Sequence, residues 1–318
     1  MKQIDVAVNS FKKPESLLYT LMTLKREVGG LVDTVYINDD HSGDGTCDVY
    51  RRPEVAEYFR PWKLEVRENP RNVWIKQVYP RGWYPDYMDW KYRLLHFIRF
   101  ISPKYEHDKS NIRYQNAIDR TDKKYLYIIH DDVKFTGNVI ERYLQSFAED
   151  ENRFLVGDLG QCWRCRFKEK CSPRQIIEGF RPSPYWPLTP NKKTGEIENF
   201  SPRDGYNMDC RINEWSCLVD VAKIREVTEW SRGFFGNYYQ GADIGAFIFC
   251  KGLQKGYTID DPLTNVEERR KYYQHPWQGY SGHSVWVDQG QGKAVYNRQL
   301  IIDLMRSEFG FEFPQNKG

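Results

Sequence analysis

The sequence predicts an α/β fold: a mixed, mostly parallel sheet flanked by helices, built as a single large domain with insertions. Three observations carry this. Short apolar runs alternate with a helical pattern from the start, with IDVAV at 4–8, a helix over residues 15–26, VDTVYI at 32–37 and a further strand over 62–66. Such alternation favours parallel strands joined by right-handed crossovers. Next, the apolar runs at 32–37 and 125–129 lead into paired acids, Asp39-Asp40 and Asp131-Asp132. Open α/β sheets keep their ligands at the carboxyl ends of strands. Finally, 318 residues with 40% hydrophobic content can bury a sizeable core.

The bulk numbers narrow the classes. A net charge of +3 gives no charge signal for nucleic acid, and no such partner is expected. No run of 18 apolar residues exists, which excludes a transmembrane helix. The opening MKQIDVAVNSF starts at once with a strand pattern, without a signal-peptide core. Seven cysteines form no even disulfide framework, which favours a reducing cytosol. Aromatic content is 15%, with 22 Tyr and 10 Trp, residues that line sugar or base sites and also fill cores.

Taken in order, the first strand is followed by a polar loop, residues 9–14, and by a helix with Leu17, Leu18, Leu21 and Leu24 on its apolar face. Gly29 and Gly30 stop that helix. The second strand ends in NDDHSGDGT, whose Asp40, Ser42, Asp44 and Gly45 suggest a calcium loop. That loop needs a bidentate Glu at its twelfth position, which here is Arg51, so the reading is rejected. The alternative is a strand-end loop whose carboxylates accept from the ring N–H or ribose hydroxyls of a ligand. Residues 70–112 make a long insertion with an aromatic loop and an amphipathic helix over 86–100; insertions of this length serve as lids or pad a sheet edge. The strand at 125–129 delivers His130, Asp131 and Asp132, which suit Mg²⁺ or Mn²⁺, ions that take one or two carboxylates and complete their shell with phosphate.

These residues carry a resemblance. VAVNSFKKPESLLYTLMTL, then VYINDDHSGDGT, then IRYQNAIDRTDKKYLYIIHDDV resembles the nucleotide-binding half of family 2-like glycosyltransferases with the GT-A fold, over about residues 4–133. The resemblance implies a GT-A-like (Rossmann-like) domain. It implies that Asn9 and Phe11 lie near the base, that Asp40 holds the base and that Asp39 supports its loop. It implies that Arg113, on the helix before the metal strand, approaches the nucleotide, that Asp131 contacts ribose or sugar, and that Asp132 ligates the metal. The sequence departs from the strict DxD form, because His130 stands in the place of the first acid.

Further on, residues 138–149 read as a helix. Cys162 and Cys165 form a C-x-x-C with Cys171 six residues later. With Cys210 or Cys217 these fit a structural Zn²⁺ site, or else they are unliganded thiols. Residues 172–209 read as a long irregular loop whose Tyr185, Trp186 and Tyr206 can stack on an acceptor sugar. From residue 212 a strand enters a helix, and GFFGNYYQGADIGAFIFCKGLQKGYTI again looks like the family's second half. There Asp243 matches the position of the catalytic base; on its own it reads as a helix cap, and its place after the metal motif turns the reading to the base. His283, in GYSGHS, matches a C-terminal-loop metal ligand. Residues 299–309 read as a closing helix.

The reading is a nucleotide-sugar-binding half at 1–135 and an acceptor-binding half at 136–318. The function it implies is a metal-dependent, inverting glycosyltransferase of hexosyltransferase type. It would act in polysaccharide biosynthesis in the cytoplasm, with peripheral association at the inner face of a membrane. Its implied partners are Mn²⁺ or Mg²⁺, a nucleotide-sugar donor with a UDP-sugar as the leading candidate, and a saccharide or lipid-linked glycan acceptor. The rivals are a non-catalytic nucleotide or sugar binder on the same fold and a nucleotidyltransferase. The last usually has a Gly-rich loop after its first strand, whereas NSFKKPES has no glycine.

Overall fold

The computed structural model describes residues 3–73, 90, 94, 108–159, 212–236, 244–263, 266–274 and 296–314. The chain divides into two compact units, Met1–Asn72 with Thr121–Ser146 and Pro262–Gly318, and Val73–Arg120 with Phe147–Asp261. The strands run in the order β3-β2-β1-β4 in the first unit and β7-β6-β8 in the second, the mixed α/β class that the alternating pattern predicts.

In the first unit, β1 (Ile4–Ser10), β2 (Val32–Asp39), β3 (Lys63–Glu68) and β4 (Tyr125–Ile129) are all parallel. Strand β1 is central, pairing with β2 on one side and β4 on the other. Its Val6 and Val8, with Val35, Ile37, Tyr127 and Ile129 of its neighbours, are at most 1% exposed. Helix α1 (Pro14–Val28) joins β1 to β2 and buries Leu17, Leu18, Leu21 and Leu24. Pro14 suits a first helical position, since its missing N–H would have no helical partner there. Helices α2 (Thr46–Tyr50) and α3 (Pro53–Phe59) lead from β2 to β3. After β4 comes a short antiparallel pair, β5 (Lys134–Phe135) with β9 (Tyr273–Gln274), then α9 (Arg298–Phe309) near the end of the chain.

The second unit holds β6 (Arg153–Gly157), antiparallel to β7 (Ser216–Asp220) and parallel to β8 (Thr258–Asp260). Around them lie α4 (Gln115–Arg120), α6 (Val221–Ser231) and α7 (Ala246–Gln254). Helix α5 (Val139–Glu149) begins in the first unit and ends in the second, and α8 (Val266–Arg270) belongs to the first. Gly157 passes so close to β7 that an added Cβ would lie 2.5 Å from the Ser216 carbonyl. The amphipathic helix expected over 86–100 falls outside the described residues, except Trp90 and Leu94, which are helical and 69% and 50% exposed.

Candidate functional site at the carboxyl edge of the first unit

Strands β2 and β4 flank β1 and run parallel to it, so both acidic pairs emerge at the same edge, about two strand spacings or roughly 10 Å apart. Successive strand residues face opposite sides of a sheet, and this divides the pair at the end of β2. Asp39 continues the face of Val35 and Ile37, beside Ser10 of β1. Asp40 continues the opposite face, that of Asn38, which also carries Asn9; His130 follows the end of β4, and Asp131 and Asp132 form the turn after it.

The first acid of each pair has partners within the fold. Asp39 accepts from the Ser42 backbone N–H at 2.7 Å and from the Ser42 hydroxyl at 2.6 Å, which shapes the loop after β2. Burial pushes its carboxyl above the usual range despite these donors. Asp131 pairs at 2.9 Å with Lys13, whose side chain is 7% exposed, and its carbonyl accepts from Ser16 at 2.7 Å. Burial alone would push the Lys13 ammonium down; Asp131, Asp132 and Glu15 together outweigh that and raise it.

The second acids stand differently. Asp40 is 1% exposed; Asn69 donates to its carboxylate at 3.0 Å and Asn72 to its carbonyl at 3.1 Å. On the same face Asn38 reaches toward Asn9 at 3.5 Å. Asp132 is 6% exposed, with His130 Nδ1 at 3.8 Å from its carboxylate. The two loops are tied together, with Asp40 N–H donating to the Ser10 carbonyl and Lys12 N–H to the Ser42 hydroxyl. Lys12 and His41 both hold positive φ, 55° and 61°. Non-glycine residues adopt that conformation rarely and at a cost, and such positions cluster at functional sites.

Helix α1 contributes a feature that its leucine pattern hides. Ser16, Thr20 and Thr23 form a buried polar stripe on one side of the helix. Ser16 donates to the Asp131 carbonyl, while Thr20 and Thr23 accept from the Val133 and Phe135 N–H groups at 3.2 and 3.1 Å. The stripe therefore fixes the backbone of the acidic loop, residue by residue. Glu15, 1% exposed, accepts from Tyr296 and lies 3.4 Å from Arg298, tying the start of α9 to the same turn of α1.

Two donor sets bear on a metal. Among the described residues, Asp39, Cys47 and Glu68 bring three potential ligand atoms within 4.8 Å of one another. They fit an ion poorly. Ser42 already donates to both Asp39 oxygens, and burial, with Asp39 and Glu68 adding to it, pushes the Cys47 thiol far above the range in which it would ionise. Asp132 with His130 fits better by donor type: a carboxylate and an imidazole just past a strand end are ligands that Mn²⁺ or Mg²⁺ takes alongside phosphate oxygens.

Of the residues singled out from sequence, Asn9, Asp39, Asp40, Asp131 and Asp132 gather at this edge, with half-buried Phe11 in the first loop. Arg113 belongs to the second unit. It precedes α4 rather than lying on it, because Tyr114 turns to a φ of 62° and Arg113 forms a β-bridge with Gly236. A Cβ at Gly236 would sit 2.0 Å from the Arg113 carbonyl, so only glycine allows this approach. Asp243, His283, Cys162, Cys165, Cys171, Cys210, Tyr185, Trp186 and Tyr206 lie outside the described residues. Lys13, Ser16, Asn69 and Asn72 were not foreseen; the NPRN run at 69–72, directly after β3, was the available signal for the last two.

No protein-family model matches the chain. No curated protein matches it either. Solved structures similar to it include the mannosyltransferase PcManGT from Pyrobaculum calidifontis in complex with GDP-Man and Mn²⁺. It has a TM-score of 0.45 at 13% identity, covering 82% of this chain and 54% of that one. Another is S. aureus TarS 1–349, with a TM-score of 0.42 at 11% identity, covering 85% of this chain and 59% of that one. The chain thus spans between half and three-fifths of the length of these two proteins. Among the described residues no helix is long and apolar enough to cross a membrane.

Proposed function

We propose that the chain is a glycosyltransferase that moves a sugar from a nucleotide-sugar donor, a UDP-sugar first among the candidates, to a saccharide or lipid-linked glycan acceptor with inversion. The observation that carries this is the carboxyl edge of β2, β1 and β4, where Asp40 directly follows β2 and Asp132 lies in the turn after β4, the two strand ends being about 10 Å apart. A nucleoside diphosphate can bridge that span. In this reading Asn9, Phe11 and Asp40 hold the base, Asp39 keeps the loop in shape, and Arg113 and Asp131 serve the nucleotide side. Residues 1–135 bind the donor and 136–318 the acceptor.

Asp132, with His283, would hold Mn²⁺ or Mg²⁺. When bound, the ion would offset charge growing on the leaving diphosphate. Asp243 takes the proton of the acceptor hydroxyl as that oxygen attacks the anomeric carbon. Cys162, Cys165, Cys171 and Cys210 are the candidate ligands of a structural Zn²⁺, ranked behind unliganded thiols, and the place of work is the cytoplasm, with peripheral association at the inner face of a membrane as the further reading.

Calorimetric titration with UDP-, GDP-, dTDP- and CMP-sugars in the presence of Mn²⁺ tests the donor reading. Asp132→Ala should abolish the Mn²⁺-dependent part of the binding while leaving the fold intact. Asp243→Asn keeps shape and capping capacity but cannot accept a proton, so kcat should fall about 10²–10⁴-fold with donor affinity nearly unchanged. Wild-type turnover in Asp243→Asn would remove the base. Donor binding without turnover for any acceptor would favour the non-catalytic binder.

A further inference from the structure

We infer that Lys13 is a positioning residue of the metal site: it holds the Asp131 carboxylate as a permanent counter-ion and thereby leaves the divalent cation to Asp132. The inference rests on the reading of Asp132 as the metal's carboxylate. Its grounds are the position, burial and partners of Lys13.

Lys13 is the N-cap residue of α1, and its side chain makes no cap hydrogen bond. Ser, Thr, Asp and Asn are preferred there, and a cation beside a helix N-terminus opposes the helix dipole. Lysine is therefore among the poorer choices for the helix itself. It is also 6% exposed, and burying an ammonium is costly unless it is paired. Those two costs are met by charge. Lys13 Nζ lies 2.9 Å from Asp131 Oδ1, and Asp132 and Glu15 also act on it electrostatically. Three carboxylates with side chains 13%, 9% and 2% exposed thus act on one ammonium, and Asp131 is in direct contact with it.

Adjacent carboxylates of this kind would otherwise compete for one cation, and both would be drawn to it. Lys13 gives them different tasks. Together with the Ser16 hydroxyl on the Asp131 carbonyl, it anchors Asp131 to the first turn of α1 at both side chain and backbone. The charge left at the loop is then lower than two free carboxylates would give. Lys13 thus limits how tightly the site takes a divalent ion before the diphosphate arrives.

The sign of the expected effect is unusual: removing a residue of the site strengthens metal binding. Mn²⁺ is titrated, alone and with UDP, into wild type, Lys13→Met, Lys13→Arg, Asp132→Ala and the double variant Lys13→Met/Asp131→Asn. Binding is followed by electron paramagnetic resonance, and folding by circular dichroism. Lys13→Met should bind Mn²⁺ without UDP about tenfold more tightly or better, because a charge that repels the ion is gone and a second carboxylate is released to it. Lys13→Arg keeps the pair and should behave as wild type. The double variant removes both charges, avoids a buried unpaired carboxylate, and should return to near wild-type Mn²⁺ affinity. It also keeps the test open if Lys13→Met fails to fold.

A folded Lys13→Met with unchanged or weaker Mn²⁺ affinity overturns the inference, as does a double variant that loses Mn²⁺. Equal Mn²⁺ binding by wild type and Asp132→Ala instead overturns the assignment of Asp132, and the role of Lys13 with it. UDP titrated without metal reports separately whether the nucleotide reading stands.

Discussion

The two edges of the first unit's parallel strands bury acids in different ways. At the amino edge Asp5 is 1% exposed, and each of its oxygens has its own donor, the Thr34 N–H at 2.9 Å and the Thr121 hydroxyl at 2.6 Å. The nearby charges are a compensated pair, Lys123 and Asp33 at 3.0 Å. At the carboxyl edge Asp39, Asp40, Asp131, Asp132 and Glu15 are crowded together, with Lys13 among them and positive φ at Lys12 and His41. Both edges bury carboxylates, so burial alone does not mark a site. Density of like charge and backbone strain do, because folding alone would select against both.

The largest expected effect separates the edges by stability. Asp5→Ala strips the acceptors from two buried donors and should lower unfolding free energy by about 2–4 kcal/mol, read by urea denaturation. Nucleotide affinity of the folded protein should not change. Asp40→Ala should do the reverse. It should cost nucleotide affinity about 1.5–3 kcal/mol, or roughly ten- to a hundredfold by calorimetry, with or without metal. Should Asp40→Ala instead destabilise the fold while binding nucleotide normally, the carboxyl edge would be structural like the amino edge, and the contrast would fail.

Much of this arrangement was legible in the sequence. Strand β4 was expected at 125–129 and is found at Tyr125–Ile129, and α1 is found at Pro14–Val28 where 15–26 was read. Both are apolar runs with clear breakers, which is where local pattern and tertiary burial agree. The acidic pairs were visible as pairs. Their division of labour was not, because it depends on which face each residue takes and on what α1 offers that face. Ser16, Thr20 and Thr23 look like solvent-side residues to a hydrophobic pattern, yet they are buried against the backbone of 131–135. Strand β8 was missed because its three half-buried residues produce no sustained pattern; β6 is as long and as buried as β4, and its length does not explain the miss. Arg113 was placed on a helix because nothing local announces that Tyr114 takes positive φ or that Gly236, far along the chain, admits the bridge.

The smallest expected effect concerns sign rather than size, and it compares the carboxyl edge with a purely structural ion cluster in the same unit. Glu308 on α9 meets Lys134 at 3.0 Å, the Tyr19 hydroxyl at 2.9 Å and Arg26 at 3.2 Å. Burial pushes its carboxyl up, but these partners outweigh that and hold it below the usual range. At Glu15 burial wins, and the carboxyl stays above the usual range despite Arg298 and Lys13. A depressed carboxyl stabilises the fold above its unfolded value, and that stability is lost as pH falls through the folded value. A raised carboxyl does the opposite: its contribution is present at low pH and is lost as pH rises. Glu308→Gln should therefore be least stable relative to wild type near pH 7, by about 0.5–1 kcal/mol, with the gap closing as pH falls below 4. Glu15→Gln should fare worst against wild type near pH 4 and gain on it as pH rises. Urea unfolding at a series of pH values reads both slopes. Parallel slopes for the two variants would mean that Glu15 is as well compensated as Glu308, and the carboxyl edge would lose its claim to uncompensated charge.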